Sequence, residues 1–170
     1  MKILALVVTS LLAAGPAQAG EQRFASPNGR VQVRVVGIGN PGFVDQESRI
    51  EIRTTSGRLI GSRAFGSGDG QHGFGLRRGA WTAGGRWFVF NLDSSGGHQP
   101  WHVPTYAYDA ISGHFFQLDD YIGPVMSDFA LSGKDAVVVT RMNLATGAQN
   151  EPVTVHLRRM ARHAVATQPN

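Results

Sequence analysis

Apolar and polar residues alternate strictly in Arg30-Val31-Gln32-Val33-Arg34-Val35, which puts Val31, Val33 and Val35 on one face of an extended segment. Arg49-Ile50-Glu51-Ile52-Arg53 and Val153-Thr154-Val155-His156-Leu157-Arg158 repeat the pattern, so each is predicted to be a half-buried strand. Trp87-Phe88-Val89-Phe90 and Ala136-Val137-Val138-Val139 are apolar at every position instead. Such runs predict strands covered on both faces, in the middle of the fold. Beyond the N-terminal segment no stretch shows a convincing helical period.

The punctuation between these runs is as regular as the runs. Asn28-Gly29, Ser56-Gly57, Gly84-Gly85, Ser112-Gly113 and Thr146-Gly147 each offer a glycine for a tight corner, and the glycines lie 28, 28, 28 and 34 residues apart. A recurrent hairpin is the predicted unit, giving an all-β antiparallel meander of about ten strands in a sandwich-like or partial-propeller arrangement. Residues 20–160 are read as a single domain and residues 161–170, polar and without a partner strand, as a flexible tail. The stretch from Gly61 to Gly79, rich in Gly, Ser, Asp and His, is predicted to be a surface loop. Its Gly68-Asp69-Gly70-Gln71-His72-Gly73 has the form G-x-G-x-x-G, but no helical pattern follows to meet a pyrophosphate.

The first residues set the compartment. Lys2, the apolar run Ile3 to Leu12 and the small-x-small site Ala17-Gln18-Ala19 describe a cleaved signal peptide over residues 1–19. The run is too short to cross a bilayer, which needs ~20 apolar residues. Export to the periplasm is expected, with secretion from the cell as the alternative, and no membrane insertion afterwards. The chain has no cysteine, so neither a lipid anchor at the cleavage site nor a disulfide is available, and the core must hold the domain together. The formal charge of +4 is modest, and the 14 Arg are spread along the strands, not gathered in a stripe. That distribution argues against a nucleic-acid partner.

Taken in pairs, the hairpins resemble a known repeat. Phe24-Ala25-Ser26-Pro27-Asn28-Gly29-Arg30, a strand, and a second strand ending in Ser56-Gly57-Arg58 are similar to the blade unit of TolB-type and related β-propellers. Trp81-Thr82-Ala83-Gly84-Gly85-Arg86-Trp87 through Ser112-Gly113 echoes it, and Phe129-Ala130-Leu131-Ser132-Gly133-Lys134 through Thr146-Gly147 echoes it again. The resemblance implies three blade-like units. Propellers close with about four to eight blades, so three imply an open meander or sandwich.

Chemistry-bearing residues concentrate between Arg86 and Asp120, which holds two of the three Trp and three of the six His. Within it, the segment from Asp93 to Pro104 is too long for a tight turn, and Pro100 and Pro104 pre-shape its backbone. Ser95, His98, Gln99, Trp101, His102, Tyr106 and Tyr108 are the candidate contact residues, with Tyr106 and Tyr108 alternating onto one strand face beside Trp101. On this reading the protein is a non-enzymatic binding or interaction module for a protein or cell-envelope glycan partner, with no catalytic residue, metal or cofactor. The alternative is a small periplasmic hydrolase, metal-dependent or serine-based, using His98, His102 and an Asp. His98 and His102 are four apart but Pro100 removes the helical geometry of a metal pair, and a third ligand would have to be His114 or Asp109. A serine triad would draw on Ser94 or Ser95 with Asp93, Asp109 or Asp119, yet no G-x-S-x-G elbow is present. Asp119-Asp120 are adjacent and are expected to end a strand and cap the next turn.

Overall fold

The computed structural model describes residues 21–38, 47–96 and 101–167; the predicted signal peptide, His98 and Gln99 fall outside them. Three antiparallel sheets account for the strands. The first is a meander of β1 (Glu21–Ala25), β2 (Val31–Gly37), β3 (Ser48–Thr54) and β4 (Leu59–Ala64). The second repeats that order with β5 (Phe74–Trp81), β6 (Trp87–Ser94), β7 (Thr105–Asp109) and β8 (His114–Gln117). A short helix α1 (Asp119–Ile122) leads to β9 (Ala130–Ser132), β10 (Ala136–Arg141) and β11 (Glu151–His156), with β10 in the centre, and then to helix α2 (Leu157–Thr167). This is the predicted all-β hairpin meander, with eleven strands among the described residues. Each sheet is blade-like. All five corner glycines have positive φ, from 65° at Gly85 to 89° at Gly57, the region that a side chain would strain.

Alternation along β6 shows why the second sheet is the middle layer. Trp87 and Val89 point to one face and join Val137, Val139, Val155, Leu157 and Met160 in one cluster. Phe88, Phe90 and Leu92 point to the other and pack with Val33, Val35, Ile50 and Ile52 of the first sheet. Both faces of β6 are therefore dry, as its unbroken apolar run predicts. Close approach has a local requirement: a Cβ at Gly79 would lie 2.5 Å from the Phe88 ring, so only glycine lets that ring lie across β5. The parallel expectation for β10 needs correction. Val137 and Val139 are core, but Val138 is only half-buried and belongs to neither cluster, and its register neighbours Ala130 and Thr154 are exposed.

Two further expectations change. The run Val153 to Arg158 does not remain extended: β11 stops at His156, and Leu157, Met160 and Ala161 fall at helical spacing on the face of α2 that meets the core. Residues 161–167 are thus part of a helix, not a loose tail. The sequence hid this because the strand-like alternation of the preceding residues runs on into the first turn. The Gly61 to Gly79 segment is likewise largely strand, with β4 and β5 taking its ends and a loop of residues 65–73 between them.

Candidate active site

The connection from β6 to β7 is held down by backbone bonds before any side chain acts. The Leu92 N–H donates to the Pro104 carbonyl at 3.0 Å, and the Val103 N–H donates to the Val125 carbonyl at 2.8 Å. Thr105 opens β7, and Asp119 opens α1; the expected capping role is corrected, since Leu118 is the N-cap with no side-chain cap bond and the Asp119 carboxylate turns to Thr105 and Val125 instead. One Asp119 oxygen accepts the Thr105 N–H at 3.0 Å and the other accepts the Val125 N–H at 3.1 Å. The second oxygen also lies 2.6 Å from His102 Nε2. Asp119 is thus pinned on both oxygens, and it holds the imidazole in one orientation.

Solvent reaches the imidazole but hardly the carboxylate. The His102 side chain is 21% exposed and that of Asp119 is 9% exposed. With the carboxylate ionised, Nε2 is the donating nitrogen, so the tautomer leaves its lone pair on Nδ1. Trp101, 43% exposed, sits alongside with its ring 5.6 Å from the imidazole. Sequence spacing gave no reason to pair His102 with a residue seventeen positions away in preference to Asp93 or Asp109. The fold decides it by bringing α1 under the start of β7.

A second polar array lies at the same end of the middle sheet and had no sequence signature. The register shifts between Leu76 and Arg78, which leaves Arg77 out of the β5–β6 pairing and turns it toward acidic partners. Arg77 donates to Asp128 at 2.6 Å and to Asp93 at 2.9 Å, and Asn91 donates to Asp128 at 3.0 Å. The Arg77 guanidinium, first, and the Asn91 amide hold the Asp128 carboxyl below its ordinary range. Asn91 is the register partner of Thr105, so the array adjoins the His102 segment.

Other predicted site residues are placed elsewhere. Tyr106 and Tyr108 are 7% and 1% exposed, since β7 is an interior strand of the middle layer. Burial pushes both hydroxyls up in pKa, and Tyr106 stacks on Phe90 with centroids 5.5 Å apart. They form core, not a platform. Ser95 turns away from His102, donating to the Gly73 carbonyl at 3.0 Å and lying 3.3 Å from Glu47 Oε1. Asp109 is spent on Arg86, whose Nε and Nη2 each reach it at 2.8 Å. Among the described residues no three His, Asp or Glu side chains converge in a way that would hold a metal ion.

No protein-family model and no curated protein matches the chain. Among solved structures, the periplasmic gluconolactonase of Pseudomonas aeruginosa matches with a TM-score of 0.43 and 14% identity over 80% of this chain. The match covers 39% of that enzyme's chain, so this protein spans about two fifths of its length. The expectation of a non-enzymatic binding module is corrected at this point. Two of its three aromatic contacts, Tyr106 and Tyr108, are buried, and its central histidine is fixed against a carboxylate.

Proposed function

We propose that the protein is a small exported hydrolase in which His102 is the general base and Asp119 orients it. The observation that carries this reading is the 2.6 Å contact between His102 Nε2 and an Asp119 carboxylate already fixed by two backbone amides. No hydroxyl group is bonded to His102 among the described residues, so water is taken as the nucleophile and the serine-based version is set aside. Nδ1 accepts a proton as the water oxygen attacks an ester carbonyl, Asp119 stabilises the imidazolium that forms, and the same proton is returned to the departing alkoxide. Trp101 offers an apolar face of the kind that stacks on a sugar ring, which supports an acylated cell-envelope glycan as substrate. The signal-peptide pattern of residues 1–19 supports the periplasm as the place of action.

The test is hydrolysis of chromogenic acyl esters, acylated sugars and sugar lactones by the purified mature chain and by His102→Gln. Turnover by the wild type, lost by roughly 10²-fold or more in the variant with an unchanged melting temperature, is the expected result. Equal rates for the two proteins, or no turnover of any compound by either, would overturn the reading.

A further inference from the structure

A second concave region lies away from His102, between β8, α2 and the corner that joins β7 to β8. Its volume is about 480 Å³, within the range of small-molecule sites, and its walls include Arg86, Arg158 and Arg162 with Phe116 as an apolar floor. The three arginines arrive by different routes. Arg86 is fixed side-on: its Nε and Nη2 donate to Asp109 at 2.8 Å each, while its guanidinium lies 4.9 Å from the centre of the Trp87 ring. That geometry leaves Nη1 unused by Asp109. Arg158 reaches Asp135 through Nε at 3.0 Å, leaving both terminal nitrogens without a bond to that carboxylate. The Arg162 side chain, one helical turn further on, is exposed and makes no ion pair or side-chain hydrogen bond with a described residue.

The charges do not balance within this group: three guanidinium groups face the two carboxylates of Asp109 and Asp135. Their placement on α2 is also locally unfavourable. The first turn of α2 contains Arg158 and Arg159 and no acidic residue, although a helix N-terminus carries the positive end of the backbone dipole and favours anions. Asp135 offsets Arg158 in part, and Arg162 adds a further positive charge with no acidic partner among the described residues, a local imbalance of the kind that function sets. An oxyanion between Arg86, Arg158 and Arg162 would relieve both imbalances, since guanidinium groups bind planar oxyanions through paired N–H donors.

We infer that this cleft is a binding site for an anionic sugar or related small molecule, its carboxylate or phosphate held by Arg86, Arg158 and Arg162 and its body lying over Phe116. The body has somewhere to go. A neighbouring cleft of about 410 Å³ shares His114 and Phe116 with the first and continues toward Tyr121.

The probes are inorganic phosphate and D-glucuronate, titrated calorimetrically into the mature chain at low ionic strength. Saturable one-to-one binding of either, weakened roughly tenfold in Arg162→Ala and by added salt, is the expected result. Glucuronate alone would assign a carboxylate ligand, and phosphate alone a phosphorylated one. Arg162 is exposed and makes no contact the fold needs, so the variant remains folded. His102→Gln is expected to bind as the wild type does, which separates this site from the proposed catalytic one. Absence of binding by both probes, or equal affinity in Arg162→Ala, would overturn the inference.

Discussion

Glu47 is a charged side chain only 2% exposed, and it is tolerated because polar groups of the 65–73 loop and of Ser95 converge on it. It accepts the Ser67 hydroxyl at 2.6 Å, the Gly73 N–H at 2.7 Å and the Ser67 N–H at 3.1 Å, and the Ser95 hydroxyl lies 3.3 Å away. Burial pushes its pKa up, but these donors outweigh burial and hold it below the ordinary glutamate value of 4.5. Glu51 and Asp109 show the same contest, settled by Arg53 and Arg49 in one case and by Arg86 in the other. A carboxyl with a depressed folded pKa contributes stability that is fully present above its unfolded value and is lost as pH falls through the folded one. The melting temperature is therefore expected to hold from neutrality down to about pH 4.5 and to fall below it. Glu47→Gln should lower stability at neutral pH by about 1–3 kcal/mol and make the acid decline shallower. Thermal melts from pH 7 to pH 3 check both points, and an unchanged acid decline in the variant would remove Glu47 as a contributor.

Strands with one wet face were legible because the period of two survives in Val31, Val33 and Val35 and in Ile50 and Ile52. β6 was legible for the opposite reason, since no polar residue interrupts Trp87 to Phe90. α2 was not. Its apolar stripe is narrow, and Leu157 reads equally well as the end of the alternating β11. What fixes the helix is the cluster beneath it, where Met160 is 1% exposed against the middle and third sheets. Met160→Ala is expected to cost about 2–5 kcal/mol, the usual range for a buried methionine truncated to alanine. Denaturant unfolding measures it, and a cost below about 0.5 kcal/mol would mean that α2 is not held by this face.

Three stacked sheets with two apolar clusters form one interdependent structure, because both clusters take residues from β6 and β7. Loss of either outer layer would bare one side of a strand that has no polar face to offer water. A single calorimetric transition is therefore expected, with calorimetric and van't Hoff enthalpies equal; two resolved transitions would show layers that unfold separately. The sequence alone specifies the strands, their glycine corners and the hairpin order, since these depend on residues a few positions apart. It also marked Trp101 and His102 as a segment with chemistry. Packing between layers is what makes Tyr106 and Tyr108 core, gives His102 the partner Asp119, and brings Arg86, Arg158 and Arg162 around one cleft. Burial and pairing across such distances follow from how sheets stack, and a local pattern carries no record of which layer will cover it.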